Sequence, residues 1–173
     1  MKISIIGYSG SGKSTLAALM GQMRQLPVLF LDTVQFTSHW QERNREEALA
    51  MVKTFMEQDD WIIEGNYTFF LQEERLCQSD LIFFLNFSRA ACFARVCRRF
   101  FKNRGAVRES MAPGCEEKLD WEFVKWVLIE QRNKDNKEHF SRIAEQYKEK
   151  LIVIKNQRQL DKLKDSLSTI LDN

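Results

Sequence analysis

Short apolar segments alternate with amphipathic segments along the chain, and this alternation predicts the order of strands and helices. The segment KISII (2–6) is rich in β-branched residues and is typical of a buried strand. Four more apolar segments of strand length follow it, at 28–32, 61–65, 80–87 and 151–155. Because amphipathic segments separate these strands, the pattern predicts an α/β fold whose parallel sheet is covered by helices on both faces.

The segments between the strands repeat apolar residues at helical spacing. In 44–58, the residues Ala48, Val52 and Met56 recur on one helical face, and Ser88 is a favourable N-cap for a helix over 89–103. A long helical region is expected from about 116 to 150, bent or split near 133–136, where NKDN is a poor helix former.

The composition is that of one soluble globular domain. The chain has 173 residues, of which 44% are hydrophobic and 29% charged, so we expect a single domain over 1–173 with a lid insertion at about 104–135. The apolar run LIFFL (81–85) is too short to cross a bilayer, and no cysteine pair has C-x-x-C spacing. These features predict a cytoplasmic protein with free thiols, without a membrane partner or a zinc site.

The sequence GYSGSGKS (7–14) fits the phosphate-binding pattern G-x-x-x-x-G-K-[ST], with a predicted strand before it and a helix after it. Glycines allow such a loop to turn its N–H groups inward, where these groups and the helix N-terminus bind phosphate oxygens. The motif predicts ATP and Mg²⁺ as ligands, with Lys13 on the β- and γ-phosphates, the Ser14 hydroxyl on the metal and Thr15 near the α-phosphate. The remaining nucleotide-binding candidates of the loop are Gly7, Ser9, Gly10, Ser11 and Gly12.

Two acidic residues are candidates to complete this site. Asp32 follows the second predicted strand, and Glu64 lies at the end of the third. Ligands of open α/β sheets bind beyond the carboxyl ends of the strands. If the third strand adjoins the first strand, which leads into the phosphate-binding loop (the P-loop), Glu64 is closer to the metal than Asp32 is and binds it through water. Asp32 then lies on the acceptor side, where it orients or deprotonates an acceptor hydroxyl or binds its polar groups; the alternative for each acid is a helix cap or a turn.

Basic residues are concentrated in one part of the chain. No acidic residue occurs between Leu81 and Arg108, which favours an anionic ligand. Arg95 and Arg99 are four residues apart and share a helical face, whereas Arg98 is expected to point elsewhere. These two, together with Arg132 after the lid helix, are the candidates to stabilise a transferred phosphoryl group; the alternative is a solvated basic face. Arg104 and Arg108, in the loop over 104–114, are further candidates.

A polar stretch after Asp32 is the candidate acceptor region. Its aromatic residues Phe36 and Trp40 are candidates to stack on an acceptor, and the neighbouring Arg43 and Arg45 are candidates to hold an anionic or planar one.

Several motifs together resemble the topology modulation proteins, a bacterial family related to adenylate kinases. They are IIGYSGSGKSTLA, WIIEGNY, SDLIFFLNF and MAPGCEEKLDWEFVKWV. The resemblance implies a three-layer P-loop kinase fold with strand order 2-3-1-4-5 and ATP as the phosphoryl donor. It also implies that KNQRQ (155–159) borders the adenine pocket, which makes Asn156 and Arg158 candidate nucleotide-binding residues.

The chain departs from adenylate kinases after the third strand. Where those enzymes have D-G-F-P-R, this chain has EGNYT (64–68), so the arginine that clamps the acceptor phosphate is missing at that position. AMP is therefore not the expected acceptor, and both a small hydroxylated metabolite and another nucleotide remain open.

Two functions are consistent with these features. The first is an ATP-dependent phosphotransferase of the nucleoside-monophosphate-kinase-like class with an unidentified small acceptor. The second is a nucleotide-dependent regulatory ATPase that affects DNA topology through DNA or protein contacts, for which the basic stretch 89–108 is the supporting feature. A net charge of only +2 and the lack of a known DNA-reading motif favour the kinase.

Overall fold

The computed structural model describes residues 1–102, 110–115 and 119–172, apart from the side chains of residues 168 and 172. The strands are β1 (Lys2–Gly7), β2 (Val28–Phe30), β3 (Trp61–Glu64), β4 (Leu81–Leu85) and β5 (Leu151–Ile154). The helices are α1 (Lys13–Arg24), α2 (Leu31–Gln35), α3 (Arg45–Met56), α4 (Gln72–Gln78), α5 (Arg89–Lys102), α6 (Trp121–Leu128), α7 (Lys134–Gln146) and α8 (Gln157–Asp172). Short 3₁₀ turns occur at Ser38–Trp40 and Glu130–Arg132.

The strands form one parallel sheet in the order β2-β3-β1-β4-β5, which confirms the predicted fold. In this register Ile5 of β1 lies opposite Glu64 of β3, and Gly7 lies opposite Leu85 of β4. The carboxyl ends of the three central strands therefore meet at one edge of the sheet, directly beside the loop that leaves β1.

Two hydrophobic clusters hold this edge in place. The larger one contains the fully buried Ile3, Ile5 and Leu16 and joins β1 and β4 to α1, α5 and α8. The smaller one contains Leu31 and Val34 of α2 together with Val52 of α3 and Trp61 of β3. Fully burying one such aliphatic side chain contributes roughly 1.5–3 kcal/mol, so this packing fixes α2 against the sheet.

The second strand is shorter than its sequence predicts. The strand ends at Phe30, and Leu31–Gln35 is a helix, so Asp32 lies in a first helical turn instead of at a strand end. Leu31 and Val34 are three residues apart and both fully buried, and the Thr33 hydroxyl donates to the carbonyl of Phe30 at 2.7 Å. Helical spacing of the buried residues therefore prevails over the apolar run that predicted a strand.

The helical region is split, as predicted, a few residues before the predicted position near 133–136. The interruption lies between Leu128 and Lys134, and the side chain of Asn133 caps α7 by accepting from the N–H of Asn136 at 2.8 Å. Asparagine favours the N-cap for the same reason that it disfavours a helix interior, because its short side chain bonds to nearby backbone groups. The NKDN segment therefore begins a helix.

Part of the expected lid lies outside the described residues, including Arg104 and Arg108. Within the described part, Met111, Ala112 and Cys115 are buried and pack against Phe36 and Trp40. The lid function of 104–135 remains a prediction. In the portion of the chain that the structure describes, no helix is long and apolar enough to span a membrane.

Candidate active site

The loop between β1 and α1 has the backbone conformation that phosphate binding requires. Gly10 (φ 80°) and Gly12 (φ 99°) both occupy the left-handed region. A Cβ at Gly10 would lie 2.6 Å from the carbonyl oxygen of Cys92, so only glycine fits there. No side chain caps α1 and no acid lies in its first turn, so the positive end of the helix dipole faces the loop.

A cavity of about 1630 Å³ adjoins this loop at the carboxyl edge of the sheet. Of the predicted nucleotide-binding residues, the loop contributes Ser9, Gly10, Gly12, Lys13, Ser14 and Thr15 to its lining. Gly7 and Ser11 do not line it: Gly7 ends β1, and Ser11 is buried.

Glu64 joins Lys13 and Ser14 at the base of the cavity. The Ser14 hydroxyl donates to Oε2 of Glu64 at 3.0 Å, and Nζ of Lys13 lies 3.5 Å from Oε1. Burial raises the pKa of Glu64; the Lys13 charge opposes this effect and the Asp32 charge adds to it. The structure therefore brings together the two predicted metal-binding residues, and both lie against the P-loop lysine.

The described residues contain no cluster of three or more His, Cys, Asp or Glu side chains that could hold a metal ion alone. A hydroxyl and one carboxylate beside a phosphate-binding loop fit Mg²⁺, which usually takes few protein ligands and completes its shell with phosphate oxygens and water. Ser14 and Glu64 are the residues that would hold it.

Asp32 faces the same cavity and is bound by a residue that the sequence did not single out. The Tyr67 hydroxyl donates to Oδ1 of Asp32 at 2.8 Å. Burial, with the neighbouring Asp32 charge, raises the pKa of Tyr67, so its hydroxyl stays protonated and remains a donor. One oxygen of Asp32 is thus fixed by Tyr67, and the carboxylate lines the cavity beside Glu64.

One wall of the cavity is basic and belongs to α5. Arg95 and Arg99 both line it, as their shared helical face predicts. The prediction that Arg98 points elsewhere is wrong, because Arg98 lines the cavity too, with Lys102 of the next turn. The Arg95 guanidinium donates to Oε1 of Gln157 and lies 4.8 Å from the centre of the Phe87 ring. Burial lowers the pKa of Arg95.

Arg132 takes a different position from the one predicted. Its guanidinium lies 3.4 Å from the centre of the Tyr8 ring and donates to the carbonyl of Phe87, and Arg132 is not among the cavity-lining residues. In this arrangement Arg132 supports Tyr8, the second residue of the loop, by a cation–π contact.

Neither of the two residues expected at an adenine pocket lines the cavity. Asn156 caps α8, since its side chain accepts from the N–H of Gln159 at 3.0 Å, and Arg158 is exposed to solvent. Gln157, which lies between them, lines the cavity and binds Arg95. The nucleotide-binding roles that the resemblance implies for Asn156 and Arg158 stay predictions.

Two side-chain amides that sequence reasoning missed bind the loop backbone. Asn66 pairs with Gly7 in both directions: the Gly7 N–H donates to Oδ1 at 2.9 Å, and Nδ2 donates to the Gly7 carbonyl at 2.6 Å. Gln131 accepts from the N–H of Ser9 at 2.6 Å through Oε1 and donates to the carbonyl of Val127 at 2.7 Å. The position of Asn66, directly after the third predicted strand, indicates a site residue. The sequence around Gln131 contains no such indication.

A buried arginine supports the segment that carries Tyr67. Arg75 is fully buried, and it donates from Nε to the carbonyl of Phe70 at 2.8 Å and from Nη2 to that of Tyr67 at 3.1 Å. Burial lowers the pKa of Arg75 to about 10, an effect that the charge of Glu64 partly offsets. Arg75 thus fixes the backbone on which the partner of Asp32 sits.

Comparison with known proteins supports the fold. No protein-family model matches the chain, and no curated protein matches it in sequence. Among solved structures, shikimate kinase from Acinetobacter baumannii in complex with shikimate is similar with a TM-score of 0.57 and 16% identity, over 99% of this chain and 93% of that one. Shikimate kinase from Bacteroides thetaiotaomicron is similar with a TM-score of 0.53 and 18% identity, over 100% and 99%. The chain therefore has the fold of P-loop kinases, while membership of the topology modulation family is not confirmed.

Proposed function

We propose that this protein is an ATP-dependent kinase that transfers the γ-phosphoryl group of ATP to a hydroxyl of a small acceptor. The observation that carries the proposal is the joint placement of Lys13, Glu64 and Asp32 in one cavity beside the P-loop. The similar solved structures are kinases, one of them in complex with shikimate, which supports phosphoryl transfer to a small molecule.

The donor half of the reaction uses the P-loop and α5. Loop N–H groups and the N-terminus of α1 bind the phosphate oxygens, and Lys13 contacts the β- and γ-phosphates. Ser14, and Glu64 through water, would hold Mg²⁺, which would supply charge neutralisation at the phosphates. Arg95 and Arg99 of α5, which also line the cavity, stabilise the negative charge of the transferred group in its transition state.

The acceptor half uses Asp32. The acceptor oxygen forms a bond to the γ-phosphorus while the bond from that phosphorus to the bridging oxygen breaks, which leaves ADP. The hydroxyl proton passes to the Asp32 carboxylate, whose position is fixed by Tyr67. Transfer of this kind depends mostly on positioning and electrostatics, which this site supplies on rigid strand ends and helix termini.

The test is acceptor-dependent turnover. Nucleosides, nucleotides and hydroxylated metabolites are incubated with MgATP, and products are identified by mass spectrometry as compounds that have gained one phosphoryl group. We expect one acceptor class to give product and Lys13→Met to lose this turnover. The matched control Lys162→Ala, whose side chain is exposed on α8, should keep it.

The regulatory ATPase of the sequence analysis predicts a different outcome. It requires ATP hydrolysis that no acceptor stimulates, together with DNA binding that weakens steeply as salt increases. Four of the basic residues on which it depended, from Arg95 to Lys102, line the cavity, where they serve a phosphate donor. Acceptor-independent hydrolysis with salt-sensitive DNA binding would therefore replace the kinase proposal.

A further inference from the structure

The basic residues that line the cavity lie beside the phosphate-binding loop. Within residues 1–102, 110–115 and 119–172, the lining lysines and arginines come from α1, α5 and α8: Lys13, Arg95, Arg98, Arg99, Lys102 and Lys164. These elements adjoin the phosphate-binding loop. The basic end of the cavity thus faces the phosphate donor.

The other end of the cavity is acidic and aromatic. Asp32 provides the carboxylate of this end and accepts a hydrogen bond from the Tyr67 hydroxyl at 2.8 Å, whereas Glu64 pairs with Lys13 at the base of the cavity. The apolar walls of this end are Phe36, Trp40, Tyr67, Phe69 and Met111. Phe36 and Trp40 pack edge to face, with ring centres 5.3 Å apart.

The two arginines that the sequence offered as anchors for an anionic acceptor are engaged in contacts with other residues. Arg43 donates from Nε to the carbonyl of Val34 at 3.0 Å and forms an ion pair with Glu47 at 2.7 Å. Arg45 lies over the Phe69 ring, 5.1 Å from its centre. Neither arginine lines the cavity.

We infer that the acceptor is a neutral, hydroxyl-bearing molecule with a planar ring, of which a nucleoside is the simplest example, and that phosphorylated or carboxylated acceptors are disfavoured. The inference rests on the proposed kinase function and names its substrate class. A planar ring stacks on the aromatic walls, and a hydroxyl donates to Asp32. A phosphate or carboxylate at this end would lie against the carboxylate of Asp32, and like charges in a partly buried site repel strongly.

The test compares acceptors in matched pairs. Each nucleoside is compared with its own 5′-monophosphate, and shikimate serves as a carboxylated acceptor. Binding to the protein loaded with Mg²⁺ and a non-hydrolysable ATP analogue is measured by calorimetry, and kcat/KM is measured with MgATP. We expect at least one nucleoside to bind and to react at least about tenfold better than its monophosphate and than shikimate, a factor that corresponds to about 1.4 kcal/mol.

The outcomes separate this inference from the proposed function. The inference is overturned if the protein prefers a monophosphate or shikimate, or if it binds none of the nucleosides. The kinase proposal is unaffected by these results as long as the ATP analogue binds. Absence of nucleotide binding in the same calorimeter overturns the kinase proposal itself.

A variant of Thr68 tests whether the acidic end repels charged acceptors, and this test does not require that the best acceptor be known. Thr68 lines the acidic end and is exposed, so Thr68→Arg adds a cation there without disturbing the core. We expect Thr68→Arg to shift the ratio of monophosphate to nucleoside affinity at least tenfold toward the monophosphate, and the neutral control Thr68→Gln to leave it unchanged. An unchanged ratio in Thr68→Arg would show that this end does not receive the acceptor, and would overturn the inference.

Discussion

The N–H of Ser9 donates to Oε1 of Gln131 across 2.6 Å, which joins the phosphate-binding loop to the 3₁₀ turn between α6 and α7. Gln131 is almost completely buried, and its Nε2 is fixed by the carbonyl of Val127. A glutamine oxygen thus binds an N–H of the loop that phosphate binding uses. The loop and the predicted lid insertion, which contains Gln131, are therefore coupled by this hydrogen bond.

The first prediction concerns this bond. Gln131→Ala leaves the N–H of Ser9 without its acceptor, which costs roughly 1–3 kcal/mol if the group stays buried. Phosphate oxygens of a bound nucleotide can take over this N–H, so MgATP should raise the melting temperature more in Gln131→Ala than in the wild-type protein. Gln131→Glu is the matched control, because it keeps an acceptor for Ser9 but puts a charge near the phosphates, and it should weaken MgATP binding. Equal shifts of the melting temperature in Gln131→Ala and the wild type would contradict the coupling.

The second prediction concerns the cost of the buried carboxylate. Burial raises the pKa of Glu64 in the folded state. The contribution of Glu64 to the free energy of unfolding is therefore fully present below its unfolded pKa of about 4.3, and it is lost as the pH rises through the pKa of the folded state. Glu64→Gln lacks this titration. Its free energy of unfolding relative to the wild type should therefore increase from pH 4 to pH 7, while its turnover falls.

Urea denaturation of the nucleotide-free proteins at several pH values measures this difference. Glu73→Gln, on the exposed side of α4, is the control and should show no comparable trend. If the difference in free energy of unfolding between Glu64→Gln and the wild type stayed constant with pH, Glu64 would not be a buried carboxyl with a raised pKa.

The third prediction separates Asp32 from Tyr67. Asp32→Asn removes the proton acceptor and should lower kcat by about 10²–10⁴, with little change in the KM for ATP. Tyr67→Phe removes only the hydrogen bond that positions Asp32, and it should lower kcat by about tenfold. Steady-state kinetics of both variants with the acceptor found above provide the comparison, and an effect of Tyr67→Phe equal to that of Asp32→Asn would argue against this division of roles.

The fourth prediction concerns the loop backbone. Gly10→Ala forces a Cβ to within 2.6 Å of the carbonyl of Cys92 and strains a backbone with φ at 80°, so it should destabilise the protein by roughly 1–3 kcal/mol and abolish nucleotide binding. Ser9→Ala changes the same loop without touching its conformation and should retain both properties. Thermal denaturation with and without MgATP measures the effect. If Gly10→Ala bound MgATP as the wild type does, the loop conformation described here would not be the one that binds.

The sequence predicted the parts of the site that depend on local pattern. A β-branched segment followed by G-x-x-x-x-G-K-S defines the strand, the loop and the helix, so Lys13 and Ser14 could be placed beside the strand end that carries Glu64. Asp32 was also placed correctly at the cavity, although the buried spacing of Leu31 and Val34 makes its segment a helix.

The remaining site residues depend on contacts between distant segments, which local patterns do not reveal. Gln131 reaches Ser9 across 122 positions of sequence, and Asn66 reaches Gly7 across 59. The sequence around Arg132 does not show that its guanidinium contacts the Tyr8 ring in the folded chain. Asn156 caps α8, which the sequence alone does not reveal, because an asparagine before a helix serves equally as a cap or as a ligand contact.

The central claim is that the loop over 7–14 binds the triphosphate of ATP with the help of Lys13, and calorimetric titration of MgATP tests it most directly. We predict binding of one nucleotide per chain to the wild-type protein, an affinity at least tenfold weaker in Lys13→Met, and unchanged affinity in Lys162→Ala. Circular dichroism of Lys13→Met establishes that the variant is folded. No heat of binding with the wild type, or equal affinity in a folded Lys13→Met, would contradict the account.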